Sequence, residues 1–186
     1  MYDRRGPEVK AFTVRRINES DLEDFRRVRL EALLLHPDAF GASYEDWSQK
    51  PASFFTEKLQ TNYVFGGFDL HNAIQGLIGL SFSTSPKLNH VATIWGMYVH
   101  VGMRGSGLSS GLMEAALEAA SSVRTVRTVK LSVVTTNRAA YALYRSYGFT
   151  NWATDTAALY ANGIFHDEYL MRRDMENDSS QSQYDK

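Results

Sequence analysis

The sequence predicts a single α/β domain in which a mixed sheet carries helices on both faces. Three observations support this. Strand-like and helix-like periodicities follow one another in the order β-α-α-β-β-β-α-β-α-β-β. One strand, Ile94 to Val101, runs into the turn Gly102-Met103-Arg104-Gly105-Ser106-Gly107 and then a helix of small residues. The 186 residues contain no repeat, linker or low-complexity block, and the chain is long enough to bury a core without disulfide or metal staples. The reading is residues 1–10 as a flexible N-terminus, 11–173 as the folded domain and 174–186 as a polar disordered tail.

Phe12 to Ile17 alternates as a first strand, and Asn18 or Ser20 can cap the helix after it. From Asp21 to about Leu35 apolar residues recur at helical spacing until His36-Pro37 ends the run. Asp38 to Trp47 lacks periodicity and reads as a loop, and a second helix runs from Pro51 or Ala52 to Leu59. Tyr63–Phe68 and Ile74–Phe82 form a hairpin through Asp69-Leu70-His71-Asn72. Pro86 to Asn89 breaks the chain before a strand from Val91 to Val101. Leu108, Leu112, Met113, Ala116, Leu117 and Ala120 mark the next helix. Val126–Val134 is a buried strand, Asn137–Tyr147 a helix, and Gly148 its stop. Phe149–Thr154 and Ile164–Arg172 close the sheet, with Asn162-Gly163 turning from Ala158-Leu159-Tyr160 into the last strand.

Composition removes whole classes of function. The formal net charge of −1 gives no basic field for nucleic acid or an anionic membrane. The alternating charges of Asp21 to Arg29 read as a solvated helix face, and the arginines there as surface. With no cysteine, disulfides, thiolate metal sites and a cysteine nucleophile are excluded. The five histidines are scattered without ligand spacing, so no metal site is expected. Neither a signal-peptide core nor a membrane-length apolar run stands in the sequence, so a cytoplasmic location is the expectation.

A turn of Gly and Ser that opens a helix aims backbone N–H groups at one point, with the positive end of the helix dipole behind them. It suits a phosphate or pyrophosphate, and Arg104 adds a cation at the rim. The plainer alternative is a connecting turn. A dinucleotide fingerprint is rejected because Gly105 to Gly111 misses its spacing by one residue and no acidic residue stands at the required distance beyond it. A P-loop lacks its Gly-Lys-Ser/Thr.

About 30 residues later stands a second motif, Asn137-Arg138-Ala139-Ala140-Tyr141-Ala142-Leu143-Tyr144, closed by Gly148-Phe149. By periodicity alone it is an amphipathic helix packed by aromatics. Together the two motifs resemble the GNAT superfamily of acyl-CoA-dependent N-acetyltransferases, from Phe12 to about Arg173 and most closely from Ile94 to Phe149. The resemblance implies a sheet splayed at its middle strands, where the pantetheine arm of acetyl-CoA, the co-substrate, pairs with the backbone of Met97, Tyr98 and Val99. Gly96 is well placed for a bulge there. It also assigns the pyrophosphate to Arg104, Gly105, Ser106, Gly107, Leu108 and Ser109, the pantetheine arm to Asn137, and the sulfur to Tyr144. Gly102 departs from the family pattern, which usually has Gln or Arg there, so anchoring falls more to backbone donors and Arg104.

Direct acyl transfer in a ternary complex suits a chain without cysteine. Backbone N–H groups near Met97 and Tyr98 can polarise the thioester carbonyl. Tyr144 is the candidate acid for the departing thiolate, its alternative being a buried packing residue. The candidate bases are His90, at the start of the central strand, and Glu45, in the loop that the family uses to line the acceptor; either can instead be a solvated polar residue. Phe40, Tyr44, Glu45 and His166 are the candidate acceptor contacts, with Asp167 and Glu168 beside His166 on the last hairpin. The expected partner is a small-molecule amine or a peptide, and homodimer assembly stays open. Two functions are consistent with these residues: an N-acetyltransferase, or an acyl-CoA-binding sensor or interaction module that has lost turnover. Retention of Asn137 and Tyr144 favours the enzyme.

Overall fold

In the computed structural model, which describes residues 12–175, the first strand β1 (Phe12–Arg16) leads through one tight helical turn at Glu19–Asp21 into α1 (Leu22–Leu35). Asn18 accepts the Ser20 amide, and Asp21 accepts the Asn18 amide in return, a reciprocal cap that fixes this entry. Next come α2 (Tyr44–Ser48), α3 (Ala52–Thr61), β2 (Tyr63–Asp69), β3 (Ile74–Phe82) and β4 (Val91–Val99). The chain closes with α4 (Leu108–Ser122), β5 (Thr128–Val134), α5 (Arg138–Ser146), β6 (Thr150–Ala161) and β7 (Ile164–Asp174). The seven strands form one mixed sheet in the order β1-β2-β3-β4-β5-β7-β6, with β4 and β5 its parallel pair.

Alternation along β3 sends Ile78 and Leu80 into a core under α4, and Leu77 into a second core under α1 and α3. Glycines let α4 sit close to the sheet: a Cβ on Gly67 would lie 2.2 Å from Leu108 Cδ1. On the opposite face Phe25 meets Phe55 edge-on at 6.1 Å, and Trp47 meets both Phe54 and Phe55 in the same way.

Several boundaries differ from the sequence expectation. Tyr44–Ser48 is helical where a loop was expected, because Ser43 caps the turn by accepting the Asp46 amide at 3.2 Å. β4 stops at Val99, since 101–103 turn back on His100. β5 begins at Thr128 rather than Val126, and its Lys130 and Ser132 are exposed, so it is buried on one face only. The expected short pieces around Thr154 and Leu159 are one strand, β6, kinked at Ala157 (φ +54), whose amide is held by Asp167 at 2.9 Å. The Asn162-Gly163 turn has positive φ at both residues, as a two-residue hairpin requires. β7 runs through Asp174, one residue past the expected domain end, while the expected flexible ends at 1–10 and 176–186 lie outside the described residues.

The decisive feature for function is where β4 leaves β5. They pair only at Val91↔Thr128, Ala92↔Val129 and Thr93↔Lys130. Beyond that β5 stays on β7 as far as Val134↔Glu168, and β4 stays on β3 as far as Val99↔Gly76. A wedge therefore opens between Ile94–Val99 and Leu131–Val134.

Candidate active site

Gly96 bends β4 at the mouth of this wedge. Its φ of +65° is one that glycine adopts without strain, and across the bulge Trp95 pairs with Gly79 but Tyr98 with Leu77. A cavity of about 480 Å³ fills the wedge, lined by β4 from Ile94 to Val99, β5 from Leu131 to Val134, and the start and inner face of α5. Met97, Tyr98, Val99, Arg104, Ser109, Asn137 and Tyr144 all line it. The Tyr98 phenol points away to α1, donating to Glu31 Oε1 at 2.6 Å, and burial first, then this carboxylate, pushes its pKa up. Tyr98 is therefore anchored by its side chain while its backbone edges the cavity.

The glycine-rich turn lies beside the cavity. Arg104 Nε donates to Val99 O at 3.3 Å, and its Nη2 lies 3.3 Å from His36 Nε2. Gly102 donates to His100 Nδ1 at 3.2 Å. Ser106 Oγ donates to Met103 O at 2.7 Å and accepts the Leu108 amide at 3.3 Å. Gly105 and Gly107 have φ of +79° and +87°, and nothing stands within 4 Å of where a Cβ would be. Left-handed backbone, not crowding, calls for glycine at both. Leu108 itself is a core residue; only its amide belongs to the turn.

Asn137 lines the cavity and caps α5, its Oδ1 accepting the Ala140 amide at 3.1 Å, so the cap does not use its Nδ2 donors. Tyr144 lies on the same helix face, is 6% exposed and packs edge-on to Phe149 at 6.2 Å. Burial alone pushes its phenol up, so it stays protonated through neutral pH, and among the described residues no group bonds its hydroxyl.

A second cavity of about 460 Å³ adjoins the first and shares Ala39, Phe40, Ile94, Trp95, Gly96 and Ser132 with it. Its remaining wall comes from α1, α2, α3 and β7, through Arg29, Trp47, Lys58 and Glu168 among others. Glu168 is partly buried, and desolvation raises its pKa, with Asp155 adding to the rise and a Ser132 hydrogen bond opposing it.

The structure brings Phe40 to both cavities and Glu168 to the second, but Tyr44, Glu45, His90 and His166 to neither. Glu45 is exposed on α2 and lines neither cavity. Tyr44 packs against the α1–α3 core, and His166 pairs with Leu159 on the outer hairpin. His90 sits at the closed end of the wedge, where its carbonyl holds the Arg127 and Thr128 amides. Strand pairing there keeps its ring from the reacting region.

One residue was missed altogether. Arg29, expected on the surface, is 4% exposed, because it shares the buried face of α1 with Phe25, Val28, Ala32 and Leu33. Arg27 alone of its near neighbours matches the surface expectation fully; Arg26 is half-buried and bonds Ser48 O. The Arg29 guanidinium lies 4.8, 4.9 and 5.8 Å from the ring centroids of Phe40, Trp47 and Trp95. Among the described residues its Nε and Nη1 have no hydrogen-bond partner, and burial draws its pKa down to about 10. Each ring contributes roughly 0.5–2 kcal/mol of cation–π attraction. An unpaired buried ion costs several kcal/mol, so the rings offset the desolvation only in part. The signal in the sequence was spacing: residues 25, 29 and 33 fall four apart on one helix face.

Among the described residues, no group of three or more His, Asp or Glu could hold a metal ion, and no helix is long and apolar enough to cross a membrane. No curated protein matches the chain by sequence. Solved structures match its fold. An acetyltransferase of the GNAT family from Streptococcus pneumoniae superposes with a TM-score of 0.79 at 22% identity, over 89% of this chain and 99% of that one. NAA60 from Arabidopsis thaliana, in complex with a bisubstrate analogue, gives 0.69 at 20% identity over 88% and 97%. The structure of yncA from Salmonella typhimurium with its cofactor acetyl-CoA gives 0.73 at 16% over 92% and 98%. The sequence model of the acetyltransferase (GNAT) family matches residues 18–149, from the cap before α1 to the end of the α5 motif. On that match and this fold, the chain belongs to the GNAT acetyltransferase family.

Proposed function

We propose that the protein is an N-acetyltransferase that moves an acetyl group from acetyl-CoA to a primary amine by direct attack in a ternary complex. The observation that carries this is the wedge between Ile94–Val99 and Leu131–Val134, with the Tyr144 phenol on one wall and a second cavity on the other. The residues present fit acetyl-CoA. Among the described residues, the β4 edge beyond Thr93 has no strand on its wedge side, and the turn at Gly105 and Gly107 is open where side chains would otherwise stand.

Acetyl-CoA supplies an acyl group already activated as a thioester. The protein supplies placement. The first-turn amides of α4 and Arg104 hold the pyrophosphate, the β4 edge at Met97 and Val99 holds the extended arm, and Asn137 Nδ2 donates to it. Amides at the Gly96 bulge polarise the carbonyl. The Tyr144 Oη–H keeps its proton at neutral pH and gives it to sulfur. Glu168, in place of His90 or Glu45, is the carboxylate that lines the second cavity, where it can hold the acceptor's ammonium and take up its proton directly or through water.

The test is to incubate the protein with acetyl-CoA and a pool of primary amines. Free thiol should accumulate, and mass spectrometry should find an N-acetylated product. Acetyl-CoA binding with no thiol release from any amine would refute turnover and leave the fold as a binding module.

A further inference from the structure

We infer that the acceptor carries a carboxylate close to its reacting amine, as an α-amino acid does, and that Arg29 binds it. The inference rests on the transferase reading above and adds the acceptor's chemical class. Its ground is the state of Arg29. The side chain is almost wholly buried yet lines the second cavity, and its Nε and Nη1 have no hydrogen-bond partner among the described residues. The three rings around it face the cation, but the N–H donors of a guanidinium lie in its own plane, where rings accept nothing. A planar fork of donors is satisfied by a carboxylate.

Position fixes how far the anion can be from the amine. Arg29 Nη1 lies 3.3 Å from where a Cβ on Gly96 would sit, so the guanidinium rests against the bulge that we assign to the transfer point. An acceptor whose carboxylate meets Arg29 there reaches the bulge with its amine when the two groups stand close together in the molecule. Charge around the cavity agrees. Arg29 and Lys58 bring two cations and Glu168 one carboxylate, which complements a zwitterion and disfavours a polycation. Phe40, Trp47 and Trp95 give the remainder an apolar wall. A peptide N-terminus has an amide where this site offers a guanidinium, so peptides are disfavoured as acceptors.

The test compares L-phenylalanine and L-methionine with their carboxamides, on the full chain saturated with CoA for calorimetry and with acetyl-CoA for thiol release. The free acids should bind and react better than the amides by on the order of 10²-fold, the span expected for one buried charge pair. Arg29→Met should erase that preference. It should also raise the Tm of the unliganded protein, because an unpaired buried charge gives way to an apolar chain of similar length; an arginine kept for structure would lower it. Thiol release in which acids and amides react alike overturns the inference and leaves the transferase reading standing. Arg29-dependent binding of the acids with no thiol release from any amine supports the carboxylate site and overturns the transferase. Equal or absent binding and release of acids and amides overturns the carboxylate site in either case. Arg29→Lys keeps the charge without the fork, and should recover only part of the preference.

Discussion

On the α5 side of the wedge, the turns and caps are closed by neighbours in sequence. Ser106 holds the Leu108 amide, Asn137 the Ala140 amide, and His100 the Gly102 amide. On the α1 side, Arg29, Trp47, Lys58 and Glu168 come from four elements spread along the chain, and among the described residues the Arg29 Nε and Nη1 have no hydrogen-bond partner. The first side is built from turns and caps whose own backbone bonds are closed locally. The second is built from packing, and its buried guanidinium lacks a hydrogen-bond partner for Nε and Nη1 among the described residues. Changes on the first side should therefore act through backbone geometry and cofactor affinity, and changes on the second through acceptor chemistry.

The sharpest way to break that contrast is Gly107→Val. A β-branched residue at φ +87° is strained although no neighbour crowds it, so the turn must shift to relieve the strain. Acetyl-CoA binding should disappear by calorimetry while circular dichroism still reports a folded chain. A folded variant with wild-type affinity would sink the assignment of the pyrophosphate to this turn.

Tyr144→Phe comes next, because it removes one hydroxyl and leaves the edge-on contact with Phe149. If that phenol protonates the leaving thiolate, kcat falls by roughly 10²-fold with little change in cofactor affinity. Burial raises the phenol pKa, so its protonated, active form persists above the ordinary tyrosine range. The wild-type alkaline limb should lie above that range and be absent from the variant. Wild-type kcat at every pH would leave Tyr144 as packing.

The same contrast explains what could be read from the sequence. The fold was legible, and so was the α5 side, because a Gly-rich turn, an N-cap and a Leu-Tyr pair are local patterns whose geometry is set by spacing. The bulge at Gly96 and the Asn162-Gly163 turn were legible for the same reason. The acceptor side was not. Glu45 stands in the segment that the family uses to line the acceptor and His90 opens the central strand, but α2 turns Glu45 outward and strand pairing fixes His90 at the closed end. Arg29 was assigned to the surface by its charged neighbours, although its four-residue spacing from Phe25 and Leu33 already set it on the buried face.

Glu168→Gln probes the acceptor side with a smaller expected effect. Loss of a carboxylate that holds the ammonium should lower kcat/KM about tenfold, the worth of one charge-assisted hydrogen bond, while cofactor affinity stays unchanged. Because burial raises its pKa, the acid limb of wild-type kcat/KM should lie above the ordinary carboxylate value and vanish in the variant. The folded state binds this proton more tightly than the unfolded one, so its contribution to stability falls as pH rises from the unfolded value through the raised one. Gln should therefore gain in Tm at neutral pH and lose that gain in acid. A cofactor defect alone would move Glu168 to the other side of the comparison.

The smallest effect separates two duties of one residue. Asn137 Oδ1 caps α5, and we assign its Nδ2 to the cofactor's arm. Serine is an equivalent N-cap but has no amide donor, whereas alanine has neither group. Asn137→Ser should therefore keep the Tm and weaken acetyl-CoA binding a few-fold, roughly one neutral hydrogen bond. Asn137→Ala should weaken binding by a similar factor and also lose about 1 kcal/mol of stability with the cap. Urea unfolding and calorimetry on the two variants read these quantities independently. If serine restores both stability and affinity, the side chain acts only through the helix start, and the α5 side holds its ligand by backbone geometry alone.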